Sequence, residues 1–219
     1  MQTKLVGSPD EAAAEAARVI EIAGQNAIME RGRFDLAVSG GTTPWRMLEL
    51  LAGSRLPWSK TSLFQVDERV APSGSPDRNL TQIVLTLPLN CQASIRPMPV
   101  GSEDLDAACE VYGFSLPDRF DLIHLGLGAD GHTASLVPDD PVLEVMDRRV
   151  AMTETEYMGT RRMTLTYPVL DSARRILFLV TGDGKDEALS RLLAGDHSIP
   201  AGRVENENAL LVTDRKVVA

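Results

Sequence analysis

Apolar residues in this chain fall into two patterns. Short runs suited to strands alternate with longer stretches whose apolar residues recur every three or four positions. The short runs predict strands at Lys4–Val6, Phe34–Val38, Thr61–Val66, near Ile95, and at Phe120–Leu125, Val150–Thr153, Arg162–Thr166, Arg175–Val180 and Ala209–Thr213. The first helix is announced by Ser8-Pro9-Asp10-Glu11: Ser8 can cap, Pro9 suits the first turn, and Glu11 stands at capping-box spacing. Ala16, Val19, Ile20, Ala23 and Ala27 keep helical spacing to about Ile28, and Gly32 ends the helix. Thr43-Pro44 repeats the cap-and-proline signal and opens a helix through Leu51. Further helices are predicted near Leu80–Thr86, over Glu103–Tyr112, and from just after Lys185 through Leu193, with a turn-rich stretch at Ala71–Asn79.

Strands that alternate with helices predict an α/β fold, with a mostly parallel central sheet flanked by helices on both faces in a Rossmann-like arrangement. No internal repeat, low-complexity tract or long linker is visible, so one domain over residues 1–219 is expected. The region around Arg161–Thr166 is a candidate for a β-rich corner.

Composition narrows the function. With 31 acidic against 22 basic residues, the formal charge of -9 argues against a general nucleic-acid binder, which needs basic surface. An aromatic content of 5% also weakens any model built on stacked bases. A few local cations can still hold a small anion. Cys91 and Cys109 show neither CxxC nor metal spacing and fit a reducing compartment. The first twenty residues have no signal-peptide pattern, and no stretch approaches the ~20 apolar residues of a membrane span. A cytoplasmic protein with no membrane partner is expected.

Four predicted strands end in loops rich in glycine or reactive side chains: Ser39–Thr42, Asp67–Arg69, Gly126–His132 and Thr181–Lys185. In open α/β sheets ligands bind beyond the carboxyl ends of strands, so these four stretches are expected to meet on one rim. Ser39, Gly40, Gly41 and Thr42 can offer backbone N–H groups to an anion at a helix N-terminus; a tight turn alone would need less. Gly126-Leu127-Gly128-Ala129-Asp130-Gly131 formally matches G-x-G-x-x-G. Pro138 and Pro141 interrupt the long helix that a dinucleotide fold requires, and no strand-ending acid follows at the right distance. Gly184-Lys185 is not a P-loop, since Asp186 stands where Ser or Thr is needed.

His132 is the candidate general base, with Asp130 to orient it and a glycine-rich approach, Gly128 included, to admit substrate. His124 lies within a strand and reads as a core or interface residue, and His197 as a solvated loop residue. No residues join His132 at metal spacing, so neither a metal nor a cofactor is expected. Asp67-Glu68-Arg69 is either a surface ion pair or a functional group in which Arg69 meets an anion and Asp67 a hydroxyl or a proton. Lys185 can reach a phosphate as a point charge. Arg161 and Arg162 are candidate phosphate clamps or solvated charges, and Arg174 and Arg175 read as solvated.

These residues carry a resemblance. LAVSGGTTP (36–44), FQVDERVAP (64–72), FDLIHLGLGADGHTASLVP (120–138), RRMTLTYPVLDSAR (161–174) and VTGDGKDEAL (180–189) stand in the order seen in the 6-phosphogluconolactonases, within the glucosamine-6-phosphate isomerase/lactonase superfamily. The chain resembles that family over most of its length. The resemblance implies a carboxylic ester hydrolase that opens 6-phospho-D-glucono-1,5-lactone to 6-phosphogluconate, in the second step of the oxidative pentose phosphate pathway. It implies His132 as the base that activates water and Asp130 as its companion acid. Asp67 and Arg69 become the substrate-contacting pair, Gly40, Gly41 and Thr42 the sugar-phosphate cradle, and Lys185 and Arg162 phosphate ligands. The related amino-sugar deaminases carry a glutamate five residues after the motif histidine; here that position is Val137. Where the family usually shows Ser-Asn after the DER loop, this chain has Arg78-Asn79. An aldose–ketose isomerase or deaminase and a non-catalytic sugar-phosphate sensor are the competing expectations. The partner expected is a small sugar-phosphate lactone, with the protein a monomer or a weak homodimer.

Overall fold

The structure is a computed structural model and describes residues 1–87, 91–205 and 207–216. In chain order its strands and helices are β1 (Gln2–Leu5), α1 (Pro9–Arg31), β2 (Phe34–Val38), α2 (Thr42–Ala52), β3 (Thr61–Gln65), β4 (Asp67–Arg69), α3 (Asn79–Thr86), β5 (Ser94–Arg96), α4 (Leu105–Ser115), β6 (Leu122–Leu125), β7 (Val150–Met152), β8 (Arg162–Leu165), α5 (Tyr167–Ser172), β9 (Ile176–Val180), α6 (Asp186–Leu193) and β10 (Leu210–Thr213). Seven strands form one parallel sheet in the order β1-β10-β9-β6-β2-β3-β5. The other three, β4-β8-β7, form a small antiparallel sheet.

The central strands are apolar runs because both of their faces are covered. On β9, Leu177 and Leu179 point into one core with Leu36, Leu63 and Leu122, where α1, α2 and α3 pack. Ile176, Phe178 and Val180 point into the other core with Ile123 and Phe64, under α4, α5 and α6. This is the two-faced α/β arrangement that the sequence predicts.

Local signals held with instructive exceptions. Ser8 Oγ accepts the Glu11 N–H, but Glu11 reaches back to the Gly7 N–H, one residue before the cap. Gly32 closes α1 in the left-handed conformation, at φ 77. The cap of α2 is Gly41, not Thr43, and no side chain caps it. Gly41 sits at φ 130, which only glycine adopts freely, and Thr43 is drawn into the first turn, where its hydroxyl bonds Thr181 Oγ1 at 2.6 Å. The helix α5 was not predicted; Tyr167–Ser172 is a short helix of 6 residues with a proline in its first turn. Asp67–Arg69 is not a loop but strand β4, paired with β8, and this is the β-rich corner.

Candidate active site

All four predicted strand ends line one cleft of about 540 Å³, at the carboxyl edge of the sheet. Its walls include Ser39, Gly40, Gly41, Thr42, Asp67, Arg69, Gly128, His132, Arg162 and Lys185. Three of them, Asp67, Arg69 and Arg162, come from the small sheet, where Arg69 and Arg162 are cross-strand partners on β4 and β8. Two guanidinium groups held side by side repel each other and favour an anion between them.

The Gly40-Gly41-Thr42 turn gives the cleft a helix N-terminus without a side-chain cap, so its first-turn N–H groups are available to an anion. Behind it, the Ser39 N–H donates to His124 Nδ1 at 3.2 Å. Complete burial pushes His124 down to about 3, so its imidazole is neutral and serves this turn from the core. At the far side of β9, Lys185 opens α6. Burial lowers its pKa, with Asp214 pulling the other way, so its ammonium gains from an anionic partner.

His132 and Asp130 form a close pair, with Nδ1 and Oδ1 2.6 Å apart. Asp130 supports the pair without itself lining the cleft. Burial would raise the Asp130 pKa, but the His132 contact and a Tyr157 hydrogen bond outweigh it and hold the carboxyl below its ordinary value. A Cβ built on Gly128 would collide with the His132 ring and with Asp130, so the glycine is needed first to make room for this pair.

Tyr157 is a residue the sequence analysis missed. Its hydroxyl donates to Asp130 Oδ2 at 2.9 Å and lies 3.2 Å from His132 Nδ1. Its ring meets the His132 ring edge-on at 5.1 Å and carries the Arg162 guanidinium on its face, also at 5.1 Å. Tyr157 is brought there by a tight turn in which its N–H bonds Thr160 O, with Met158 at φ 54 and Gly159 at φ 82. Two successive left-handed residues mark a primed hairpin turn, and Met158 bears a strain of about 1 kcal/mol to allow it.

The DER segment divides its work. Asp67 is buried in the cleft wall, where it accepts the Ser135 hydroxyl at 2.6 Å and the Asn79 amide at 3.3 Å. Arg69 donates to Asn79 Oδ1 at 2.6 Å and to Asp77 O at 2.9 Å. Glu68 is fully buried and accepts N–H groups from Arg69, Asn79 and Leu80 and the Gln65 amide, which caps α3 from another strand. Its ionic partner is Arg78, at 3.5 Å, so the alternative of a surface ion pair within DER does not hold. Arg78 is buried against Glu68 and Met98 O rather than in the cleft. Asn79, beside it, was also missed and lies in the cleft wall.

Of the arginine pair, only Arg162 lines the cleft; it is buried, with its Nε lacking a hydrogen-bond partner among the described residues and its Nη2 on Tyr157 O. Arg161 is exposed and bonds Thr153 O. Arg174 pairs with Asp121 and so is not merely solvated. Val137 is buried and does not line the cleft. Among the described residues no group of three or more His, Cys, Asp or Glu is placed to hold a metal, and no helix is long and apolar enough to cross a membrane.

Comparison with known proteins places these features in context. The sequence profile of the glucosamine-6-phosphate isomerases/6-phosphogluconolactonase matches residues 7–213. A 6-phosphogluconolactonase of Synechocystis is 36% identical over 204 residues, covering 84% of this chain and 83% of that protein. The crystal structure of a 6-phosphogluconolactonase from Thermotoga maritima superposes with a TM-score of 0.86 at 26% identity, over 97% of this chain and 98% of that one. A monomeric glucosamine-6-phosphate deaminase shares the fold with a TM-score of 0.80 at 19% identity, over 97% of each chain, so architecture alone does not separate the two activities.

Proposed function

The chain belongs to the glucosamine-6-phosphate isomerase/6-phosphogluconolactonase family, and from that premise we propose that it hydrolyses 6-phospho-D-glucono-1,5-lactone to 6-phospho-D-gluconate. The observation that carries the reading is the His132–Asp130 pair, set in one cleft with an uncapped helix N-terminus and three cationic side chains.

Gly40, Gly41 and Thr42 hold the phosphate with Lys185 and Arg162, while Ser39 sets the turn and Gly128 gives room at the reacting end. Phosphate binding keeps C1 in register and turns remote binding into rate. His132, with Asp130 on Nδ1, takes a proton from water through Nε2 as the water oxygen attacks C1. Arg69 meets the oxyanion that develops. The C1–ring oxygen bond then breaks, and the proton returns from His132 to the departing oxygen as it becomes a hydroxyl. The new carboxyl group loses its own proton to solvent. Asp67, fixed by Ser135 and Asn79, contacts a substrate hydroxyl and steadies the Arg69 neighbourhood. Val137 disfavours the deaminase, because it supplies no carboxylate where that enzyme class carries one. The reading places a monomer or weak homodimer in the cytoplasm, acting on a small sugar-phosphate lactone without a cofactor.

The test follows lactone generated in place, with wild type, His132→Ala and a no-protein control for spontaneous opening. The expected result is decay faster than the control, with kcat lost at least a hundredfold in the variant and KM little changed. Wild-type decay equal to the control refutes the lactonase. Ammonia release from glucosamine 6-phosphate would establish the deaminase, and tight ligand binding without turnover the sensor.

A further inference from the structure

We propose that Tyr157 is a positioning residue of this site: its hydroxyl clamps Asp130 from the oxygen opposite His132, so that the imidazole keeps one tautomer and one orientation toward the cleft. The inference rests on the reading of His132 as the base.

A carboxylate beside a histidine can rotate and present either oxygen, and a ring held at one nitrogen can swing about its own bond. Three contacts remove these freedoms. Asp130 Oδ1 takes His132 Nδ1 at 2.6 Å and the His132 backbone N–H at 3.2 Å. Oδ2 takes the Tyr157 hydroxyl at 2.9 Å, and the tyrosine ring closes on the imidazole edge-on. Nδ1 therefore carries the proton, and Nε2 has no hydrogen-bond partner among the described residues. Burial and the neighbouring Asp130 push the phenol up to about 12, so it remains a donor throughout the range in which a histidine titrates. The same ring supports the Arg162 guanidinium at 5.1 Å, which links the base to a cation of the ligand site. The charged groups around His132 are thus Asp130 on its own loop and Arg162 from β8, with Asp67, Arg69 and Lys185 lining the same cleft.

Tyr157→Phe separates the hydroxyl from the ring. Phe keeps the face under Arg162 and the edge contact to His132, while Arg162 keeps its bond to the residue 157 carbonyl. Without the hydroxyl, Asp130 turns a fuller negative charge on the imidazole, which favours imidazolium. Two arms are read. Kinetics should show kcat down about tenfold, the worth of one charge-assisted hydrogen bond, with KM within twofold. The acid limb of kcat/KM should move to higher pH, and NMR titration of the His132 ring, without substrate, should move in the same direction. Tyr157→Ala should add a rise in KM as Arg162 loses its support. Wild-type kcat and titration in Tyr157→Phe overturn the proposal. So does a loss of kcat without a titration shift, which is what a merely structural residue gives, and so does a titration shift with full kcat. A wild type no faster than spontaneous opening refutes the lactonase reading instead, and the NMR arm still reports whether Tyr157 holds the pair.

Discussion

Gly128→Ala gives a sharp test of the site because the residue's backbone is not what demands glycine. Its φ lies outside the left-handed range, so alanine is allowed there. The conflict is entirely with the side chains of His132 and Asp130, on which the new methyl would fall. Those two groups must retreat by on the order of 1 Å, and a misplacement of that size costs roughly a hundredfold in rate. Folding should not suffer, since Gly→Ala at a compatible position stabilises by about 0.4–1 kcal/mol through the unfolded chain, which offsets part of the local crowding. Gly126→Ala is the internal control: it lies two residues away in the same loop, and nothing lies within 4 Å of its Cβ position. Steady-state lactone hydrolysis and thermal melts of both variants are the assay. The expected pattern is kcat down about a hundredfold in Gly128→Ala, near wild type in Gly126→Ala, with both melting close to wild type. Full turnover in Gly128→Ala would refute the claim that the His132–Asp130 geometry sets the rate.

Glu68→Gln should destabilise the fold by about 3–5 kcal/mol, because it breaks a buried pair with Arg78 and turns an amide donor toward N–H groups that now share a carboxylate. Urea denaturation measures this, and a loss under ~1 kcal/mol would show that α3 does not depend on the cap. Lys185→Met should raise KM at least tenfold with kcat within a few-fold and no loss of melting temperature, since a partly buried cation with no ion pair among the described residues is removed. A loss carried by kcat instead would move Lys185 from the phosphate to the oxyanion. Burial pushes Asp171 up to about 6, against the Glu205 N–H that it accepts. A raised folded pKa means the folded state holds its proton longer, so this stability is complete below the ordinary value of 3.8 and is lost as pH rises to about 6. Asp171→Asn should remove that decline, by about 1 kcal/mol once its partial exposure is discounted, in urea midpoints compared between pH 4 and 7.

The frame of the molecule was readable because its rules are local. A parallel strand covered on both faces must be apolar throughout, and Phe34–Val38 and Ile176–Val180 are. The loops at their carboxyl ends announce themselves by glycine and by reactive side chains. His132 and Asp130 were readable for the same reason: they lie two residues apart, so one turn places them together. The DER segment was misread because three polar residues give no strand signal. Its strand character comes from β8, more than ninety residues later in the chain.

What escaped prediction shares one physical cause, which is that support arrives from elsewhere. Asp67 is fixed by Ser135, 68 positions away, and Asp130 by Tyr157, 27 positions away. Glu68 caps a helix eleven residues on, through backbone N–H groups that carry no side-chain identity at all. Thr43 looked like a cap because Thr-Pro usually is one, yet the left-handed Gly41 moved the helix start back and released the threonine to Thr181. Reactive groups must be of particular chemical types, so they leave a mark in sequence. The groups that hold them need only the right donor or acceptor at the right point in space, and many residues can supply that. Tyr157 belongs to the second class, in a polar stretch with no periodicity. The turn that delivers it was written only as Met158-Gly159, a pair with no evident reason for left-handed backbone until the hydroxyl's destination is seen.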